Sequence, residues 1–134
     1  MSTDYEKNVE RCKRIADELD AYADGLMYAD ADGEIQDLTD YEDMSEAPDD
    51  WTPLNATDWA ADALDYTITI GADGRYRSSS WCVAFGGPGI WCDTSTQTVE
   101  LRWWGESASY PLSQAAVDAL DELAEEAFET MRRC

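Results

Sequence analysis

Apolar and polar positions divide the chain into three regimes. From Tyr5, the residues Tyr5, Val9, Cys12, Ala16, Leu19 and Ala23 recur at steps of four and three, the period of a helix with one buried stripe. Thr3 and Glu6 have capping-box spacing, and Gly25 suits the position just past a helix end. The spacing predicts a helix over about Asp4 to Asp24. From Ala29 to Asp50 no period is visible, and Ile35, Leu38, Tyr41 and Met44 are scattered among carboxylates. A loop, a frayed helix or a short edge strand each fits this stretch. Ile35 with Leu38, or Leu38 with Tyr41, would anchor it at helical spacing. Trp51, Pro53 and Leu54 mark the return to the core. Asn55 or Thr57 caps a short helix through about Leu64.

The period then becomes two. Tyr66, Ile68 and Ile70 alternate with threonines as in a half-buried strand, and Gly71-Ala72-Asp73-Gly74 reads as a hairpin turn. A second strand runs from Arg75 to Phe85 with Trp81, Val83 and Phe85 on one face. Gly86-Gly87-Pro88-Gly89 is a tight turn before a third strand, Ile90 to Asp93. After Thr94-Ser95-Thr96 a fourth strand runs from Thr98 to Trp104, with Val99, Leu101 and Trp103 on one face. Trp103 and Trp104 therefore point to opposite faces. Beyond Pro111, Ser113 is the N-cap of a last helix whose apolar stripe passes through Ala116 or Val117, Leu120, Leu123 or Ala124, Ala127 or Phe128, and Met131. The other face carries Asp118, Asp121, Glu122, Glu125, Glu126 and Glu129. The expectation is a single α+β domain over 1–134. Its segments are a helix (1–25), an acidic irregular segment (26–54), a short helix with an antiparallel sheet of about four strands (55–110), and a helix (111–134). The N-terminal and C-terminal helices pack on one face of the sheet.

Composition first argues against any fold. Leu, Ile, Val and Phe total 20 of 134 residues, and the net charge is −21, a combination typical of disorder. Six Trp and seven Tyr restore the case for a core, since each ring buries about 150–250 Å². With no His in the chain, histidine triads and histidine metal sites are excluded. No apolar run is long enough to span a bilayer, and MSTDYEK does not read as a secretory leader, so a cytoplasmic location in a bacterial host is expected. Cys12, Cys82, Cys92 and Cys134 match no zinc or redox spacing. Four reduced thiols are expected, with a Cys82–Cys92 disulfide across strands as the alternative.

The charge is unevenly placed. Between Arg14 and Arg75 lie 60 residues with 18 acids and no Lys or Arg. Self-repulsion of this size destabilises a compact state unless cations or a cationic partner relieve it. Acids at alternate residues of an extended chain stand roughly 6.6 Å apart, and acids three or four apart on a helix about 5–6 Å, both near the phosphate spacing of nucleic acid. The candidate partner-binding residues are Asp30, Asp32, Glu34, Asp37, Asp40, Glu42, Asp43, Glu46, Asp49 and Asp50. They would occupy the Lys/Arg-rich groove of a DNA-binding protein. The chain itself would bind neither nucleic acid nor membrane, would need no cofactor or metal, and would act as a monomer without catalysing a reaction. An acidic domain adapted to high salt is an alternative, since Asp (18) exceeds Glu (12) and Lys is scarce.

Candidate chemistry changes little. Asp30-Ala31-Asp32-Gly33-Glu34-Ile35 has the centre of an EF-hand loop, but positions 1 and 12 fall on Tyr28 and Thr39, so a calcium-modulated domain stays a weaker alternative. Ser78, Ser79 and Ser80 have no histidine base. The run YTITI, GGPGIWCD, TVELRWWG, YPLS and a closing acidic helix resembles small acidic proteins of bacterial mobile elements and phages. Among these it is similar to the anti-CRISPR inhibitors of type I-C surveillance complexes. The resemblance covers about half of the chain, from Tyr66 onward. It implies inhibition by occupying a DNA-contacting surface of the complex, where the PAM duplex is read. An antirestriction mimic of DNA is the nearest alternative.

Overall fold

The structure is a computed structural model that describes residues 2–41, 46–85, 88–103 and 105–132. Among these residues the chain is α+β, with three α-helices and two antiparallel sheets. The first helix, α1 (Ser2–Ala23), is followed by β1 (Met27–Ala29), β2 (Ile35–Asp37), a 3-10 turn over Leu38–Asp40 and β3 (Thr52–Pro53). A short helix α2 (Ala56–Ala61) leads into β4 (Asp65–Ile70), β5 (Tyr76–Ala84), β6 (Gly89–Asp93), β7 (Thr98–Trp103) and β8 (Glu106–Pro111). The closing helix is α3 (Gln114–Arg132).

The large sheet is a meander of order β4-β5-β6-β7-β8, five strands where about four were expected. The unforeseen strand is β8. Its sequence, ESASYP, offers only Ala108 and Tyr110 as apolar residues, so the alternation is hard to see. Register puts Trp81 opposite Cys92, Cys92 opposite Val99, and Leu101 between Ile90 and Ala108. These residues form one face, which packs on Cys12, Ala16 and Leu19 of α1 and on Ala116, Leu120 and Ala124 of α3. Both long helices cover this face, α1 over β7 and β8 and α3 over β5, and they touch each other.

Local chemistry sets the boundaries. At the end of α1, Gly25 adopts φ +76°, its N–H bonds the Tyr22 carbonyl (3.3 Å), and Leu26 N–H bonds the Ala21 carbonyl (2.9 Å), a Schellman closure. The helix begins at Ser2, so Thr3 lies inside it rather than capping it. Tyr5 is 56% exposed, while Cys12, Ala16 and Leu19 of the expected stripe are buried, as are Ala21 and Tyr22. Asn55 caps α2, its side chain accepting the Thr57 N–H and its own N–H donating to the Asp58 carboxylate, and the helix stops at Ala61 instead of Leu64. Ser113 accepts the N–H of Ala116 and so caps α3 as expected. Met131 at the far end of that helix is exposed.

A bulge between Cys82 and Ala84 breaks the alternation of β5, leaving Phe85 75% exposed instead of on the face with Trp81. Trp103 is exposed too. Cys82 pairs with Trp91 and Cys92 with Trp81, so the two thiols lie on opposite faces of the sheet and a disulfide between them is excluded. Ser79 is buried and satisfied: it accepts the Trp81 indole N–H (2.9 Å), and its backbone N–H bonds Thr94 Oγ1 (2.9 Å). The serine run is therefore part of the scaffold. Gly86, Gly87, Trp104 and Cys134 lie outside the described residues.

Candidate polyanionic surface

The acidic stretch folds into a small three-stranded sheet of order β2-β1-β3. Asp30 closes the hairpin between β1 and β2. One carboxylate oxygen accepts the N–H of Asp32 (2.9 Å) and of Glu34 (3.0 Å), and the other accepts the Gln36 amide (2.9 Å). Those bonds, led by the one from Gln36, hold the Asp30 carboxyl below its usual range. Gly33 supplies the left-handed residue at φ +85°. The Asp30 carboxylate thus ties its own turn together, and the loop has no calcium-binding geometry. Among the described residues, no cluster of three His, Cys, Asp or Glu suits a metal ion.

Asp37 is committed to the fold in the same way. It accepts the N–H and hydroxyl of Thr39 (2.9 and 2.6 Å) and caps the 3-10 turn. Leu38 is the buried anchor there, whereas Ile35 and Tyr41 remain exposed. Tyr41 donates to Gln36 (2.6 Å) and lies edge-on to Trp51 (5.9 Å), which also meets Tyr28 (6.4 Å). This aromatic group ties the two ends of the acidic segment to each other. Asp32, Glu34, Asp40, Glu46, Asp49 and Asp50 are exposed. Glu42 and Asp43 lie outside the described residues.

The structure adds carboxylates that the stretch from Asp30 to Asp50 did not contain. Asp37 faces a groove whose other wall is the C-terminal half of α1, with Asp17, Glu18, Asp20 and Asp24 beside Arg14. On the far side of Glu18 a second groove opens toward α2, lined by Asp62, Trp59 and Tyr22 together with Arg11 and Arg14. Glu18 and Arg14 form the wall between the two. Burial raises its pKa, and the neighbouring charges of Asp62 and Asp37 raise it further. Tyr22 is raised by burial and then by Glu18, Asp62 and Asp58. Acids from α1, from the β2 end and from α2 therefore share one field, although they are far apart in sequence.

Arg11 and Arg14 border that field, but few of its acids are ion-paired among the described residues. Among the described residues the ion pairs are Lys13–Asp17 (2.9 Å), Arg77–Asp73 (3.2 Å), Arg102–Glu100 (3.8 Å) and Arg132–Glu129 (3.4 Å). Only Asp17 and Asp73 of the acids between Arg14 and Arg75 take part in them. Asp20 instead accepts the hydroxyl of Ser113, joining α1 to the start of α3. The relevant signal was in the sequence: the base-free window runs from 15 to 74, and so includes Asp17, Glu18, Asp20, Asp24, Asp58 and Asp62. On α3, Asp121 is bound to Tyr76 (2.5 Å), while Asp118, Glu122, Glu125, Glu126 and Glu129 are exposed.

The thiols offer little chemistry. Cys92 is buried and its pKa is pushed up to about 12, and burial also raises Cys12 against the lowering effect of Arg11. Comparison with known families, curated proteins and solved structures finds no match to this chain.

Proposed function

We propose that this chain is a non-enzymatic inhibitor that presents a DNA-like anionic surface to the Lys/Arg-rich groove of a nucleic-acid-binding defence complex in a bacterial cytoplasm. The observation that carries this reading is the convergence of carboxylates from α1, the β2 end and α2 around Glu18, where they outnumber the neighbouring Arg11 and Arg14 and where Lys13 forms the ion pair found in the described residues. Such a field is costly to the isolated fold and is relieved by a cationic partner. The resemblance from Tyr66 onward narrows the partner class to CRISPR surveillance complexes of type I-C and to the surface that reads the PAM duplex. The exposed acids Asp32, Glu34, Asp40, Glu46, Asp49 and Asp50 extend the same surface, while Asp30 and Asp37 hold its shape.

The test is inhibition of duplex binding by a purified type I-C surveillance complex. Inhibition is expected to weaken between about 0.05 and about 0.5 M salt, because the contact is between opposite charges. Excess PAM duplex should compete with the chain. Replacing Asp32, Glu34 and Asp40 together by Lys should weaken inhibition while leaving the circular dichroism spectrum unchanged. Inhibition that ignores both salt and duplex would remove the mimicry reading.

A further inference from the structure

We propose that Asp32 is a site of spontaneous covalent modification, converting to isoaspartate through the Gly33 amide while the chain is folded. The sequence has three Asp–Gly links, Asp24–Gly25, Asp32–Gly33 and Asp73–Gly74. In such a link the backbone nitrogen after the aspartate attacks the side-chain carboxyl carbon. The new N–Cγ bond closes a succinimide ring, and the amide proton leaves with the carboxyl hydroxyl as water. Water then reopens the ring at either carbonyl. Attack at Cγ restores aspartate, and attack at the main-chain carbonyl leaves the chain running through Cβ, which is isoaspartate. The net change is an isomerisation, and the water released is the water taken up. Glycine permits the attack because no Cβ shields its nitrogen. At all three glycines φ is positive and the space a Cβ would fill is open, so the glycines do not rank the links.

The hold on the carboxylate and on the backbone ranks them. Asp73 is clamped: its carboxylate accepts the Arg75 N–H (3.1 Å) and the Arg77 guanidinium (3.2 Å), and its turn joins the six residues of β4 to the nine of β5. Asp24 is tied through its backbone. Its N–H bonds the Asp20 carbonyl (2.8 Å), and the Gly25 and Leu26 N–H groups close α1 on Tyr22 and Ala21, both buried. Opening that link pulls the end of α1 out of the core. Asp32 has neither restraint. Among the described residues no hydrogen bond or ion pair holds its carboxylate, and both Asp32 and Gly33 are exposed. The Gly33 N–H bonds the Asp30 carbonyl (2.9 Å), so the nitrogen is released when the turn opens. That opening undoes only a hairpin of three-residue strands whose turn buries no residue. Short hairpins are marginal and open at a small fraction of the global unfolding free energy.

The product reshapes the acidic surface without discharging it. One methylene enters the main chain between the Asp32 and Glu34 N–H groups, which share a single Asp30 oxygen (2.9 and 3.0 Å). That oxygen loses its fit to the two donors, and the carboxylates of Asp32 and Glu34 are redirected. The test holds the purified chain at neutral pH and body temperature for several weeks. Samples are cut with an endoprotease that cleaves before aspartate but not before isoaspartate, and electron-transfer fragmentation places the isomer. Isoaspartate should accumulate at Asp32 well ahead of Asp24 and Asp73, whereas in concentrated urea the three links should convert at similar rates. Asp30→Ala removes the carboxylate that holds the turn, so it should speed conversion at Asp32 several-fold and leave Asp24 and Asp73 unchanged. Conversion in the folded chain that is no faster at Asp32 than at Asp24 or Asp73, or a rate at Asp32 indifferent to Asp30→Ala, would overturn the inference.

Discussion

Replacing Glu18 by Gln should stabilise the fold and weaken the function. Glu18 has a raised pKa because burial, Asp62 and Asp37 all disfavour its charge. Its ionised form is therefore less welcome in the folded chain than in the unfolded one. Two like-charge neighbours at surface strength contribute about 0.3–0.5 kcal/mol each, and partial desolvation of a water-contacting carboxylate adds a similar amount, so E18Q should gain about 1 kcal/mol near neutral pH. For a domain of this size that is a rise of about 4 °C in Tm. Because the folded pKa lies above the unfolded one, the favourable contribution of Glu18 is complete below its ordinary value of 4.5 and is lost as pH rises through the raised folded value. The advantage of E18Q should accordingly be full at pH 7 and vanish below pH ~4. Urea titrations of both proteins at the two pH values measure this directly. In the duplex-displacement assay at low salt, E18Q should bind about three- to tenfold more weakly, since one carboxylate of the field is gone. A variant that is less stable at pH 7, or equally stabilised at both pH values, would refute the claim that Glu18 sits in a repulsive field.

Two further perturbations address the scaffold. Tyr76 donates to Asp121 at 2.5 Å, and burial together with this bond pushes its pKa up to about 12. Tyr76→Phe leaves that half-buried carboxylate without its donor and should cost about 2 kcal/mol in urea unfolding. Cys12 and Cys92 should resist a thiol reagent in the native protein and react on unfolding, because burial holds both as thiols; native reaction of either, resolved by mass mapping, would contradict the packing of α1 on the sheet.

Where the sequence was legible, a local signal and its tertiary use coincided. Gly25 closes α1, Asn55 and Ser113 cap their helices, and the Gly71–Gly74 turn joins β4 to β5. In each case one or two residues act on backbone within reach, so spacing alone is informative. Signals failed where neighbours in space decide. Tyr5 satisfies the helical period but stays exposed beside β7 and β8, and Phe85 is displaced by a bulge that two-residue periodicity cannot register. β8 has too few apolar residues to announce itself, and gains its place from pairing with β7 and cover by α1. The β1–β2 hairpin was hidden because its turn is held by the Asp30 carboxylate, a residue whose sequence context suggested a partner contact instead.

The same distinction changes the meaning of the acidic stretch. Counting carboxylates treats them as equivalent, yet Asp30 and Asp37 each accept several hydrogen bonds and Asp20 fastens two helices. Charge reversal at those three positions would damage the scaffold and the surface together, and a loss of inhibition there would say nothing about contact. The informative positions are those whose side chains have no such task, Asp32, Glu34 and Asp40 on one flank and Asp24 and Asp62 on the other. If the two flanks form a single surface around Glu18, reversals in each should both weaken the partner, and their effects should fall together as salt is added. Independent salt dependences would instead mean two separate acidic faces, and only one of them could then imitate a duplex.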